Sequence, residues 1–140
     1  LGLLFWFLDD GSIYVGNTNG KHSYKRTRGW IHTEGFSKHE NIIIQKYLKN
    51  QYGIDTIINP YHRTDTDKTY FRQYLNKDGL MRLIDIVYPV LHFVPDSMIY
   101  KFDLKFRNDH KEENKIFGMK YDFLSKEDML EKQQKYCNSQ

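Results

Sequence analysis

The hydrophobic positions of this chain change period several times, and each change marks an element. Leu1 to Leu8 (LGLLFWFL) is almost uniformly apolar and runs straight into Asp9, Asp10 and Gly11. A solvated helix keeps a polar stripe, so this run predicts a helix that is buried all round or packed against a second copy of itself. It is too short to cross a bilayer, which takes about 20 apolar residues. Gly11 is expected to be the left-handed residue that closes the helix. Ser12 to Gly16 then alternates, with Ile13 and Val15 on one face and Tyr14 on the other, as in a half-buried strand. Asn17 to Tyr24 has no apolar periodicity and reads as a long hairpin loop. Alternation resumes from Lys25 to Glu34: Arg26, Arg28, Trp30, His32 and Glu34 share one face, opposite Thr27, Gly29, Ile31 and Thr33.

Ser37-Lys38-His39-Glu40 has the form of a capping box. Ile43, Ile44, Tyr47, Leu48 and Tyr52 follow at helical spacing, and Gly53 ends the helix. Ile54 to Tyr61 is β-branched and carries Pro60, which suits a third strand at a sheet edge. His62 to Asp67 is a polar connection, and Lys68 to Leu75 alternates again, with Lys68, Tyr70, Arg72 and Tyr74 on one face. Asn76 caps a further amphipathic helix whose stripe is Leu80, Leu83, Ile84, Val87 and Tyr88, with Pro89 ending or kinking it. Leu91 to Phe102 is mostly apolar around Pro95 and delivers Lys101. The chain turns strongly charged beyond Asp103. After a possible cap at Ser125 it offers only short apolar pairs such as Met129-Leu130, so a loosely packed tail with one short helix is expected.

The element order helix, two strands, helix, two strands, helix predicts an α+β fold, an antiparallel sheet with its helices on one face. Residues 1–102 form that unit and 103–140 a charged C-terminal extension. At 140 residues the chain fits one domain with a genuine core. Its single cysteine, Cys137, excludes an internal disulfide and a cysteine-rich zinc site, and fits an intracellular setting, cytoplasm or organelle matrix. Six histidines are scattered without ligand spacing. The apolar opening lacks the basic flank and small-residue cleavage site of a signal peptide, and no membrane partner is expected. The chain starts inside a helix without Met, so upstream residues are expected to be missing.

Chemistry enters at two places. Asp9 and Asp10 sit where helix carbonyls point outward, a negative end that disfavours anions unless a cation compensates. Two readings fit: an Asp-Gly turn leading into a strand, or hard oxygen ligands for Mg²⁺ or another hard divalent cation. The second place is the outer sheet face. Arg26, Arg28, Trp30 and His32 join Lys68, Tyr70 and Arg72, with Tyr14 and Arg63 at the margins and Lys21 and Lys25 in the loop. Such a face either only solvates the sheet or enters a duplex groove, where Arg and Lys read base edges and loop lysines hold phosphates. The net charge of +3 is too modest to decide between them.

LLFWFLDDG over Leu3–Gly11, the segment IHTEGFS over Ile31–Ser37 and PDSMIYK over Pro95–Lys101 together resemble the LAGLIDADG homing endonucleases, across Leu1 to about Lys101. The resemblance implies an αββαββα unit with a saddle-shaped sheet. It also implies metal-dependent hydrolysis of phosphodiester bonds, a sequence-specific double-strand break in duplex DNA such as serves intron or intein mobility. Asp10 aligns with the family's metal-binding acid, whereas Asp9 falls where the family usually has a small residue. Lys101 resembles the basic residue near the metal-bound water; the alternative for it is a surface lysine at a strand end. Glu34 matches a polar position, often an amide, that orders solvent. The family's cutting enzymes use two motifs and this chain has one, so the resemblance implies a second unit docked through Leu1–Leu8, in a homodimer or as a fused half. A non-cleaving nucleic-acid binder on the same scaffold, an intron-splicing maturase or a transcriptional regulator, is the alternative function.

Overall fold

The computed structural model describes residues 1–14, 28–102 and 126–140. Helix α1 (Gly2–Asp10) runs into β1 (Gly11–Tyr14), which pairs with β2 (Arg28–Ile31). Helix α2 (Lys38–Tyr52) leads to β3 (Ile57–Arg63), β4 (Lys68–Leu75) and α3 (Lys77–Val87). Two 3₁₀ helices follow, Tyr88–Phe93 and Asp96–Lys101, and the chain closes with α4 (Lys126–Asn138). The strands form one antiparallel sheet in the order β1-β2-β4-β3. This is the expected α+β order. β3 lies at an edge, where Pro60 leaves no ladder bond unmade.

The caps form as their side-chain chemistry dictates. Ser37 Oγ accepts from the Glu40 amide at 3.2 Å while the Glu40 carboxylate accepts from the Ser37 amide at 2.7 Å. Asn76 accepts from the Gly79 amide at 2.9 Å. Gly53, at φ 65°, provides the left-handed close of α2. Gly11 does not: its φ of −93° and ψ of 151° are extended, and it is already the first residue of β1. Glycine is needed there for a different reason, because a Cβ would fall into the ring and carbonyl of Phe7.

Three further expectations are corrected. The third strand begins at Ile57 and runs on through His62 and Arg63, which pair with Thr69 and Lys68. Ile54 and Thr56 turn inward instead and are buried. In α2, Ile43 and Tyr47 are exposed, and the slots facing the sheet go to Asn41 and Leu48. The C-terminal segment is not loosely packed over 126–138: Met129 is fully buried, Lys132 Nζ donates to the Tyr88 carbonyl at 2.8 Å, and Gln133 donates to that of Val94. Tyr136 stacks on His92 with ring centroids 4.3 Å apart.

The core gathers Leu3, Leu4, Phe7 and Leu8 of α1, Ile13 and Ile31 of the sheet, Leu80, Leu83, Ile84 and Val87 of α3, and Leu91, Ile99 and Phe102 beyond. Beside it lies a buried polar layer. Thr33 Oγ1 donates to Asn41 Oδ1 at 2.5 Å, Gln73 Nε2 donates to Asn41 Oδ1 at 3.0 Å and to the Asn41 carbonyl at 2.8 Å, and Thr56 Oγ1 donates to Gln73 Oε1 at 2.6 Å. The Asn41 amide group also donates to the carbonyls of Ser37 and Phe36 at 3.0 and 3.1 Å.

Asn41→Ala strands the Thr33 hydroxyl in the interior and takes one of two acceptors from the Gln73 amide, which keeps the main-chain carbonyl of residue 41. The expected loss is about 2–4 kcal/mol in urea unfolding, several times the effect of Asn50→Ala on the exposed side of the same helix. A second expectation concerns His92, which burial first and the nearby Lys132 second hold below its ordinary pKa. The unfolded chain takes up that proton at about pH 6.5 whereas the folded chain resists it, so stability falls as pH drops below this value. Thermal melts between pH 8 and pH 5 should show that dependence reduced in His92→Phe.

Candidate functional site

At the end of α1, the last carbonyls of the helix have no intrahelical donor. Lys101 supplies one: its Nζ donates to the Gly11 carbonyl at 2.9 Å and to the Leu8 carbonyl. It is half-buried at the end of a 3₁₀ helix and not at the end of a strand. Its cation therefore sits at the negative end of α1, where Asp9 is exposed and Asp10 half-buried. The Asp10 carbonyl accepts from the His32 amide at 2.7 Å, which joins the helix end to the strand register. His32 Nε2 lies 2.9 Å from Ser12 Oγ, and Nδ1 lies 3.1 Å from Glu34 Oε1.

Among the described residues no cluster of three or more His, Cys, Asp or Glu could by itself hold a metal. The donors at the motif end are carboxylate oxygens, which suit a hard cation that keeps waters and substrate phosphates in its shell. They do not make a closed structural metal site.

The helix that carries these acids has two unlike faces. Leu3, Leu4, Phe7 and Leu8 enter the core, while Leu1 and Phe5 are 55% and 47% exposed and share a stripe with Asp9. The run is thus buried on one side only.

On the outer face of the sheet the register brings the expected residues together. Tyr14 stands opposite Arg28, Trp30 opposite Tyr74, Asn59 opposite Arg72, Tyr61 opposite Tyr70, and Arg63 opposite Lys68. Arg28 Cζ lies 4.9 Å from the Tyr14 ring centroid and 5.1 Å from that of Trp30. Arg72 Cζ lies 4.9 Å from Trp30 and 5.1 Å from Tyr61. Cations and rings therefore alternate across all four strands. Glu34 lies at this face, 4.0 Å from Arg72 Nη1, and with Tyr61, Arg63 and Tyr70 lines a surface cavity of about 250 Å³. Arg63 is drawn aside to Asp65 at 2.5 Å. Lys68 is exposed. Lys21, Lys25 and Arg26 lie outside the described residues. Tyr61 and Asn59 escape sequence reasoning because the third strand reads as ending at Tyr61; extending the alternation to Arg63 puts both on this face.

The family model of the LAGLIDADG DNA endonucleases matches residues 1–83. The chain belongs to that family. A solved structure described as the homing endonuclease I-WcaI bound to its DNA recognition sequence shares the fold at a TM-score of 0.51 with 24% identity. The match covers 71% of this chain and 38% of that one, so this chain spans well under half of the endonuclease it resembles. No curated protein matches. Among the described residues, no helix is long and apolar enough to cross a membrane. For this LAGLIDADG chain, the expected fold class is borne out, and the motif acids lie at the junction of α1 and β1.

Lys101→Met keeps the aliphatic stem and removes the donor from the end of α1. The expected cost is about 1–3 kcal/mol in denaturant unfolding, because the Leu8 and Gly11 carbonyls lose their charged partner. An unchanged midpoint would mean that water serves those carbonyls equally well.

Proposed function

We propose that this chain is one unit of a sequence-specific, metal-dependent DNA endonuclease. The observation that carries the reading is the position of the motif acids: α1 ends beside a sheet face built of alternating guanidinium groups and rings, with a lysine clamped to the same helix end. Duplex DNA lying on that face would present its phosphates to Asp10. Asp10 would hold Mg²⁺ or another hard divalent cation together with an acid from a second unit. When bound, such an ion activates water and stabilises the leaving oxygen of an in-line displacement. Lys101 keeps the α1 terminus positively compensated, so that carboxylates are tolerated there and remain available as donors.

The second unit docks on the outward stripe of α1. Leu1 and Phe5 are apolar and exposed beside the acids, the arrangement of a helix with an unfilled contact. Glu34 faces His32 and Arg72, which supports a role in ordering the recognition face more than one in the chemical step. Tyr14, Arg28, Trp30, His32, Lys68, Tyr70 and Arg72 contact the duplex, joined by Lys21, Lys25 and Arg26 of the preceding segment and by Arg63 once released from Asp65. Residues 1–102 form the endonuclease unit. The extension beyond them contributes α4, which braces the 3₁₀ helices that deliver Lys101.

The test is to select bound duplexes from a random library and then expose them to the protein with Mg²⁺ or with a chelator. Cleavage is expected only with the divalent ion. Asp10→Asn should lower it by more than the ~100-fold typical of outer ligands while binding persists. Full cutting by Asp10→Asn would overturn the assignment, and intact duplexes under the unsubstituted protein would leave the non-cleaving binder as the reading.

A further inference from the structure

The Arg72 guanidinium lies between Trp30 and Tyr61. Its Cζ lies over the two rings, 4.9 and 5.1 Å from their centroids, and its Nε donates to Asn59 Oδ1 at 3.2 Å. The Glu34 carboxylate, at 4.0 Å from Nη1, adds attraction without reaching hydrogen-bond distance. The side chain is 22% exposed, so a limited part of it meets solvent. An arginine on an open surface loses about 2 kcal/mol of rotamer entropy when a ligand fixes it. Here the fold has already removed most of that freedom. Among the described residues its terminal Nη groups have no hydrogen-bonded acceptor, which leaves them for a partner with two acceptors side by side.

We infer that Arg72 reads a guanine: its Nη edge donates in parallel to O6 and N7 in the major groove, with Trp30, Tyr61 and Asn59 as the frame that aims it. The inference deepens the DNA-binding reading above and rests on it. Guanine is the base that offers two acceptors on its major-groove edge, whereas adenine pairs an acceptor with a donor, which repels a guanidinium. A phosphate also accepts two bonds, but a phosphate contact needs no fixed plane and adds no base preference. Arg28 provides the contrast within the same stack. It lies between Tyr14 and Trp30, yet its Nε is buried with no acceptor among the described residues, and none of these plays the part that Asn59 plays for Arg72. Arg72 is therefore the rigid reader of the pair, and Arg28 must turn to satisfy its own donor.

The experiment is a selection of bound duplexes from a random library by the full chain, repeated with Arg72→Lys, Arg72→Gln and Asn59→Ala, each first checked for an unchanged thermal melt. The unsubstituted protein should enrich guanine at one position that Arg72→Gln leaves random, with about tenfold to hundredfold discrimination lost there and other positions retained. Arg72→Lys keeps the charge but not the planar fork that Trp30, Tyr61 and Asn59 hold, and should weaken the preference without abolishing it. Asn59→Ala should lose part of it. The salt dependence of binding should stay nearly parallel between Arg72→Lys and the unsubstituted chain. A guanine preference that survives Arg72→Gln overturns the inference while leaving DNA binding in place. A uniform loss at all positions, as for a phosphate contact, also overturns it. Enrichment of no duplex by the unsubstituted chain overturns the DNA-binding reading and this inference with it.

Discussion

A single ammonium group ties the second 3₁₀ helix to the junction of α1 and β1. Lys101 reaches back across ninety positions of sequence to the carbonyls of Leu8 and Gly11, where α1 stops and β1 starts without an intervening turn. That junction is demanding. Gly11 must be extended to begin pairing with Ile31, so it cannot close the helix by turning left-handed, and the freed carbonyls need another donor. The same group offsets the negative helix end that would otherwise repel Asp9 and Asp10. Phe102, next in sequence, packs its ring 5.7 Å from that of Phe7, so the clamp is anchored by apolar contact on its inner side. Further out, α4 holds the preceding 3₁₀ helix through Met129, Lys132, Gln133 and Tyr136. The brace, the clamp and the motif helix form one chain of contacts.

The sheet depends on a second constraint, the polar layer under it. Gln73 is buried opposite both Ile31 and Ile58 and is bonded to Asn41 and Thr56. A slip of one residue in β4 would remove Gln73 from its partners and turn Arg72 into the core. Satisfied polar groups inside thus specify which side chains point outside. The alternation of rings and guanidinium groups on the outer face follows from that register, because Arg72 reaches Trp30 on one side and Tyr61 on the other only in this pairing.

These two constraints differ in how far they can be read from the chain. The outer row of Arg28, Trp30, Lys68, Tyr70 and Arg72 is legible because a strand's period is fixed at two, and the pairing places these on the expected face, with His32 just past the end of β2 beside Ser12 and Glu34. The caps at Ser37 and Asn76 are legible because they are local. Asn41 is not, since a polar residue in a helix reads as exposed unless its buried partners, eight and thirty-two residues away, are known. The docking of α4 is hidden for a related reason. Met129, Lys132, Gln133 and Tyr136 follow helical spacing, but two of the four are polar and earn their place by donating to backbone carbonyls. The extra residues of β3 were hidden because an exposed edge pair such as Arg63 and Lys68 needs no apolar signal. Hydrophobic periodicity reveals burial by area; it is silent about burial by hydrogen bonding.

The unequal completeness of the two regions has a consequence for how the molecule is organised. The outer sheet face closes on itself: each guanidinium in the stack has rings on both sides, and Arg72 has its acceptor, all supplied by four strands of one chain. The motif end does not. It offers carboxylates from one helix beside an exposed Leu1 and Phe5, and no described group of three ligands. In the proposed reading, recognition is therefore a property of each unit and can vary strand by strand, while chemistry is a property of the interface between units. Stability links them in one direction. Loosening Lys101 disturbs the helix end that would carry the metal, whereas exchanging Arg72 leaves the polar layer and the clamp untouched. A sheet face insulated in this way can exchange its side chains without altering the geometry at the α1–β1 junction.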